Sequence, residues 1–288
     1  MTPTPQADLW PDLAADLLHV LGSYRSRVSS LVVETKADRT LLTEADLAVE
    51  ELIVTKIRAL DPEARIIAEE SGNDRGPASA TDPPERVWVI DPIDGTAEFV
   101  RAERTEFCSV VCRLDAGVPT EALVVAPELG TGRTPLVLTA SRSDGQVTVN
   151  GSPARLNAQA PSAQAASVTR SAGTQPRAFE AAMEEAGYAL KVRTTSQTLD
   201  MVRTAVDISD VAGGSPRFDL FYRRRQKLWD GVAGLCFGEC SGLVHSDLAG
   251  GKLTPVKNEI LERDEPVFDE TVLGIPEAVA WFRTMAQT

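Results

Sequence analysis

The chain is poor in the side chains that many hydrolases use as bases and nucleophiles. Its 288 residues include two histidines, His19 and His245, and four cysteines. His19 falls in an N-terminal helical pattern and His245 in a strand-like run, so a Ser-His-Asp or Cys-His mechanism finds little support. The cysteines come as Cys108/Cys112 and Cys236/Cys240. Their spacing raises zinc, but FCSVVCRL reads as a strand with both thiols on one face and LCFGEC as part of an apolar helix. Zinc ligands favour tighter turns, so buried free thiols are expected. No apolar run of ~18 residues is present that could cross a bilayer. The opening MTPTPQADLWPDLAADLLHVLG lacks a basic region and a small-residue cleavage site, so a cytoplasmic location is expected. Positive charge is also short: 29 Lys and Arg against 42 Asp and Glu give a net charge of −13. That excludes a general nucleic-acid-binding surface as the expected role. It leaves room for an anionic small molecule, because cations can invert the field of an acidic site.

What is present is a large apolar fraction, 43%, enough for an extensive core and for one or two domains. Apolar residues recur at helical spacing from Trp10 to Arg27. Thr43-Glu-Ala-Asp46 has the form of a capping box ahead of a second helix. ARIIA and VWVI read as strands, separated by the Gly-, Pro- and Ser-rich surface loop SGNDRGPASATDPPE. Strand-like runs follow, with Asn150-Gly151 as a turn. The small-residue stretch NAQAPSAQAA is the best domain boundary, giving 1–160 and 161–288. Helical and strand patterns alternate beyond it, through TLDMVRTAV, FDLFY and KLWDGVAGLCFGECSG to a terminal amphipathic helix. The order predicts a layered α+β architecture rather than a doubly wound sheet.

The chemistry concentrates in WVIDPIDGTAEF, residues 88–99. An apolar strand runs into two aspartates, Asp91 and Asp94, three positions apart with a proline between them. Magnesium needs few carboxylates beside water and substrate phosphate. A bend at Pro92 lets both aspartates face one cavity and leaves the carbonyl of Ile93 available. A helix starting at Gly95-Thr96 would offer unpaired N–H groups to a phosphate. Taken alone, Asp-Pro-x-Asp-Gly is also a good turn sequence with no chemistry at all.

Other segments change that balance. DPIDGT after an apolar strand resembles the signature of the inositol monophosphatase family of magnesium-dependent, lithium-sensitive phosphatases. Lys36-Ala-Asp38-Arg-Thr40-Leu-Leu-Thr43-Glu-Ala-Asp46, Ala68-Glu69-Glu70-Ser71 and Trp229-Asp230-Gly-Val-Ala-Gly234 resemble its other motifs, in the family's order. The resemblance implies an α-β-α-β-α sandwich, commonly a homodimer, with two or three Mg2+ per site. It implies that Glu69, Asp91 and the carbonyl of Ile93 hold one ion, and that Asp91, Asp94 and Asp230 hold a second. A third, looser ion would sit near Glu69. Thr96 and Asp46 would orient and help deprotonate the attacking water, and Gly95, Thr96 and Ala97 would hold the phosphate. Two or three cations neutralise phosphoryl oxygens and activate water without a covalent enzyme intermediate, which suits a chain short of histidine.

The substrate is less constrained. Family members act on inositol monophosphates, histidinol phosphate, fructose bisphosphate or 3′-phosphoadenosine 5′-phosphate. The leading expectation is a small phosphorylated polyol, sugar or nucleoside. In the segment before the W-D motif, FDLFYRRRQKLWD, Arg223 replaces the acidic residue that receives inositol hydroxyls. Arginine suits a second phosphate. Q-K-L-W-D and Thr195-Ser196-Gln197 also resemble segments of the nucleotide 3′-phosphatases, so a 3′(2′),5′-bisphosphate nucleotidase is the alternative. Arg223, Arg224 and Arg225 read equally well as a solvated face or a subunit contact. Ser171, Ser196 and Gln197 are further candidate substrate contacts. Glu98, just after D-G-T, adds a carboxylate that could repel an anion or bind a metal. A catalytically idle ligand-binding regulator would be expected to lack a metal carboxylate or Thr96; all are present.

Overall fold

The structure is a computed structural model and describes residues 9–36, 40–74, 86–170 and 173–286. Residues 75–85 of the segment expected to be a surface loop, together with Asp38 and Ser171, lie outside the described residues, and the start of that segment, Gly72–Asp74, is a strand rather than loop. Along the chain, helix α1 (Leu9–Ser26) is followed by the hairpin β1 (Val33–Thr35) and β2 (Leu41–Thr43), then helix α2 (Glu44–Leu60). Strands β3 (Arg65–Ala68), β4 (Gly72–Asp74) and β5 (Arg86–Asp94) lead to the single turn α3 (Thr96–Phe99). A meander follows: β6 (Cys108–Asp115), β7 (Val118–Ala126), β8 (Leu136–Ser141), β9 (Gln146–Val149) and β10 (Ser152–Pro153). After β11 (Arg155–Leu156) come β12 (Ala165–Arg170), α4 (Ala178–Glu185), β13 (Ala189–Arg193), α5 (Gln197–Ala205) and β14 (Val206–Asp207). The chain ends with β15 (Leu220–Lys227), α6 (Leu228–Cys240), β16 (Val244–Ser246), α7 (Asn258–Leu261), β17 (Val267–Gly274) and α8 (Pro276–Ala286).

Two sheets dominate. The first has the order β10-β9-β8-β7-β6-β5-β3-β4, with only β3 and β5 parallel; the second has the order β13-β12-β15-β17-β16. Side-chain alternation explains the layering. On β5, Trp88 and Ile90 face one way and pack with Leu13, Leu17 and Leu21 of α1 and with Val49 and Ile53 of α2. Val87 and Val89 face the other way, into a central core with α5, α6 and Phe221 of β15. The outer face of the second sheet, with Leu220 and Tyr222, packs on Met183 of α4 and on Val279 and Phe282 of α8. Helix pair, sheet, helix pair, sheet, helix pair is the expected α-β-α-β-α sandwich. The leucines at every fourth position of α1 form its buried stripe. Thr43 caps α2 and its backbone N–H donates to Asp46, as the sequence pattern anticipates.

Two local expectations need correction. Strand β5 does not turn at Pro92: it continues to Asp94, with a shift in its register against β6 between Asp91 and Asp94. Proline has no N–H for the ladder, so the strand bulges there instead of ending. The helix at Gly95-Thr96 is a four-residue turn. The strand pattern of FDLFY extends through the arginines: β15 runs to Lys227, directly before the W-D motif. The cysteines behave as expected: all four are free, three of them buried, and Cys108 and Cys112 both face the central core.

Candidate active site

Asp91, Asp94 and Asp230 converge where β5 ends and α6 begins. Their carboxylate oxygens lie within 4.8 Å of one another, and all three residues are buried or nearly so. Among the described residues this is the one group of three carboxylates, imidazoles or thiols close enough to share an ion. With the carboxylates ionised, neither oxygen of Asp91 receives a hydrogen bond, and only a proton shared with Asp230 would supply one. Asp94 is held differently: Ser196 Oγ donates to it at 2.8 Å, and the backbone N–H groups of Thr198 and Gln197 donate at 2.7 and 3.3 Å. It therefore occupies the N-terminus of α5, where N–H groups and the helix dipole favour a carboxylate. Gln197 Nε2 donates to Asp230 Oδ2 at 2.5 Å, tying α5 to α6.

The electrostatics of the cluster are unfavourable without a cation. Burial pushes the Asp91 carboxyl well above its ordinary range, and Glu69, Asp94 and Asp230 push it further. Burial raises Asp94 to about 6 in spite of its three donors. Asp230 is raised by burial and then by Asp94 and Glu69. Like charges ~4 Å apart repel by about 4 kcal/mol even at an effective dielectric near 20. A buried carboxylate with no donor is costly. A divalent cation on oxygen ligands would reverse each of these effects, so the residues present fit one.

Glu69 stands beside this group on the turn after β3. Lys36 Nζ donates to Glu69 at 3.0 Å and to Glu70 at 2.6 Å. Burial opposes the charge on Lys36, but the two glutamates raise its pKa. Burial lifts Glu70 to about 7 against the pull of Lys36. Glu50 of α2 accepts the N–H groups of Glu70 and Ser71 at 2.9 and 2.8 Å. Sequence reasoning missed Glu50. Its signal is position: four residues after Asp46, it puts a second buried carboxylate on the same side of the helix.

Thr96 Oγ1 lies 3.0 Å from the carbonyl oxygen of Ile93 and 3.3 Å from Asp46 Oδ1. The Ile93 carbonyl is thus within reach of a donor, and its second lone pair stays available. Asp46 Oδ2 accepts from Thr43 N–H and Oγ1 at 2.8 and 2.6 Å, so one oxygen serves the cap and the other faces Thr96. Burial raises Asp46 to about 6, opposed by Thr43. Gly95 has φ +96°, and a Cβ there would sit 2.9 Å from the carbonyl oxygen of Glu106. Both the left-handed conformation and the close approach require glycine.

A cavity of about 970 Å³ opens over these groups and is lined by Glu69, Asp91, Asp94, Thr96, Arg223 and Asp230, among others. Ile93, Gly95, Ala97 and Gln197 also line it. Ser196 is fully buried behind Asp94 rather than at the cavity wall, and its hydroxyl donates to that carboxylate. The three arginines part company. Arg223 reaches the cavity and donates to Thr194 Oγ1 at 3.1 Å. Burial lowers its pKa, while Asp230 favours its charge. Arg224 and Arg225 are exposed, Arg225 with φ +51°. Glu98 is buried and paired with Arg193, with Arg101 at 3.9 Å. Its charge is matched there, away from the cavity wall, so it does not act as a stray carboxylate facing the substrate.

A buried carboxylate cluster between a strand end and a helix start, in an α-β-α-β-α sandwich, defines a class of phosphatases. The chain belongs to the inositol monophosphatase family, whose family model matches residues 11–278. Members of this family hydrolyse phosphate monoesters. Over 261 residues it is 26% identical to the fructose-1,6-bisphosphatase/inositol-1-monophosphatase of Thermotoga maritima, covering 91% of this chain and 92% of that one. Over 103 residues it is 33% identical to the 3′(2′),5′-bisphosphate nucleotidase CysQ of Escherichia coli K12, covering 33% of this chain and 37% of that protein. The crystal structure of a staphylococcal IMPase-I complexed with products superposes with a TM-score of 0.74 at 18% identity, over 99% of this chain and 96% of that one, which shows the shared fold.

Proposed function

We propose that this protein hydrolyses a small phosphate monoester with Mg2+ as cofactor. The observation that carries the reading is Asp91: a buried carboxylate with no donor, in a group of three beside the Thr96–Asp46 pair. Glu69, Asp91 and the Ile93 carbonyl would hold one ion, Asp91, Asp94 and Asp230 a second, and Glu69 with water a looser third. When bound, the ions supply charge neutralisation of the phosphoryl oxygens and lower the pKa of water. The chain itself supplies orientation and proton acceptance. Thr96 Oγ1 donates toward Asp46 Oδ1 and accepts from the attacking water, and Asp46, raised to about 6, is ionised near neutrality and able to take a proton. The amides of Gly95, Thr96 and Ala97 form the turn that receives the phosphate. An intact Thr96–Asp46 contact weighs against an idle ligand-binding regulator.

The substrate class proposed is a phosphorylated polyol, sugar or nucleoside. Arg223 favours a second reading, a 3′(2′),5′-bisphosphate such as 3′-phosphoadenosine 5′-phosphate, because its guanidinium sits on the cavity wall rather than in the exposed stripe. Gln197, bonded to Asp230, would contact either substrate, and Ser171 remains a candidate from the sequence alone. Lithium inhibition, a homodimer and a cytoplasmic location belong to the same proposal. No helix among the described residues is long and apolar enough to cross a membrane.

Phosphate release with Mg2+ from inositol 1-phosphate, histidinol phosphate, fructose 1,6-bisphosphate, nucleoside monophosphates and 3′-phosphoadenosine 5′-phosphate tests the reading. Silence across the panel with Mg2+ bound would sink it. Arg223→Glu is expected to lower kcat/KM for a bisphosphate at least tenfold more than for a monophosphate, since a charge-assisted contact is worth roughly 1.5–3 kcal/mol. Equal losses on both would return Arg223 to a structural role.

A further inference from the structure

Arg25 is a buried charge at the end of the leucine stripe of α1, 8% exposed. Its guanidinium gathers three backbone carbonyls from one short stretch: Phe99 through Nη1, and Ala102, at 3.0 Å, and Arg104 through Nη2. Nε donates to Glu128 Oε1 at 2.9 Å, and Nη2 lies 3.2 Å from Glu128 Oε2, a bidentate pair. The guanidinium also lies 5.9 Å from the ring centre of Phe99 and 5.0 Å from that of Phe107. Those two rings meet edge to face with centroids 5.2 Å apart.

Phe99 ends the turn α3 that begins at Thr96, and residues 100–107 contain no helix or strand. The backbone of Glu106 and Phe107 lies against Gly95. Residues 99–107 therefore back the Gly95–Thr96 turn from behind; Phe99 and Val100 N–H close that turn onto Gly95 and Thr96, and beyond it the stretch has few backbone bonds of its own, Arg101 N–H to Glu98 and Arg104 N–H to Arg101. A lysine in place of Arg25 has no planar fork and cannot reach three carbonyls and a carboxylate together.

We propose that Arg25 is a positioning residue for the phosphatase reaction: from outside the cavity it fixes the stretch 99–107 and, through it, the placement of Thr96 and the phosphate-receiving turn. The inference rests on the function proposed above for Thr96 and Gly95–Ala97. Asp94 and Asp230 are bonded to α5 and the backbone of Asp91 lies in the β5–β6 ladder opposite Val110, so Arg25 acts on turnover and leaves cation binding alone. A misplacement of ~1 Å at such a site can cost about 100-fold in rate.

The test compares wild type with Arg25→Lys, Arg25→Met and Glu128→Gln. Steady-state kinetics, Mg2+ titration and amide hydrogen exchange of peptides spanning 95–107 in the metal-free protein are followed well below each melting temperature. Arg25→Met should lower kcat at least tenfold, with the half-saturating Mg2+ concentration changed less than twofold and exchange in 95–107 at least tenfold faster. Arg25→Lys should fall between Met and wild type. Glu128→Gln, which leaves the carbonyl contacts in place, should lower the melting temperature and keep kcat within about twofold. An unchanged kcat with unchanged exchange in Arg25→Lys and Arg25→Met overturns the proposal, as does a parallel loss of Mg2+ affinity, which would mean general loosening. Should Arg25→Met fail to fold, the exchange and kcat of Arg25→Lys decide alone. Exchange is read without substrate, so inactive wild-type protein would sink the phosphatase reading and leave the positional claim separately measurable.

Discussion

Asp91→Asn is expected to abolish Mg2+-dependent phosphate release while raising the melting temperature of the metal-free protein. The two effects have opposite signs because one carboxylate is poorly satisfied in one state and indispensable in the other. In the cation-free protein, Asp91 is buried, receives no hydrogen bond and faces Asp94 and Asp230. An unsatisfied buried polar group costs about 1–3 kcal/mol, more when charged. The asparagine is neutral at every pH, nearly isosteric and brings an N–H₂ donor toward two carboxylates, so the cost of ionising Asp91 in place, or of keeping it protonated above its unfolded pKa, disappears and the metal-free protein gains stability. A gain of 1 kcal/mol corresponds to roughly 2–4 °C in a domain of this size class. With Mg2+, Asn lacks the carboxylate that would help to hold the cation, and a rate loss on the order of 1000-fold or more is expected where a cation would carry the activation of water. Differential scanning calorimetry with EDTA and with Mg2+, beside phosphate release, reads both signs. A metal-free melting temperature that falls on Asp91→Asn would show that the carboxylate is satisfied by the protein itself, and would remove the main support for a cation there.

Asp94→Asn makes the instructive contrast. Asp94 accepts from Ser196, Gln197 and Thr198 at the start of α5, so its replacement breaks good hydrogen bonds and a favourable helix-terminus interaction. Both residues look alike in DPID. Only their surroundings, assembled from residues about 100 positions further on, separate the one held for the fold from the one left for a ligand.

That difference marks where the sequence was legible. Periodicity revealed the leucine stripe of α1, the cap of α2 and the two-faced burial of β5, because each is set by neighbours along the chain. The ordered motifs led to Glu69, Asp91, Asp94 and Asp230, which the fold brings to one cavity. Contacts across the fold stayed hidden. Along the chain Glu98 is an extra charge beside the site; in the fold it is matched by Arg193, 95 positions away. In the run Arg223-Arg224-Arg225, a substrate-facing Arg223 and a wholly solvated face are equally open from the sequence, although strand alternation alone separates Arg223 from Arg224. The positive φ of Arg225 then breaks the alternation that would have returned it to the face of Arg223. The interior ion network of Glu106, Lys191, Asp200 and Arg203 joins β13, α5 and the loop before β6. Against the penalty of burial, Arg203 and Lys191 hold Glu106 down to about 2. No local pattern announces such a network.

The metal-free protein should lose stability as pH rises from 5 to 7.5, and Mg2+ should reverse the trend. Asp94 is raised from an ordinary 3.8 to about 6, and Asp91 and Asp230 are raised in the same direction. A group whose folded pKa exceeds its unfolded value favours folding below the unfolded value and loses that advantage as pH climbs through the folded one. Between those limits the native state binds more protons than the unfolded chain, so the slope of stability with pH is negative. One pKa unit is worth ~1.4 kcal/mol, so Asp94 alone should lower stability on the order of 1–2 kcal/mol across this window. Asp46, raised to about 6 and far from fully solvated, adds to the fall. Glu106 does not oppose it, because a carboxylate held near 2 stays ionised in both states above pH 5. Mg2+ binds the ionised carboxylates, so its affinity should rise over the same range, and at 100 times its Kd it adds about 2.7 kcal/mol. The rise in melting temperature on adding Mg2+ should accordingly be larger at pH 7.5 than at pH 5.5. Calorimetric titration at pH 5.5 in two buffers of different ionisation enthalpy should register proton release on binding. A metal-free melting temperature that climbs from pH 5.5 to 7.5, with no proton released, would mean that the three aspartates are already ionised and paired without a cation. In that case their convergence would be a structural ion network, and the chemistry assigned to it would have to lie elsewhere in the cavity.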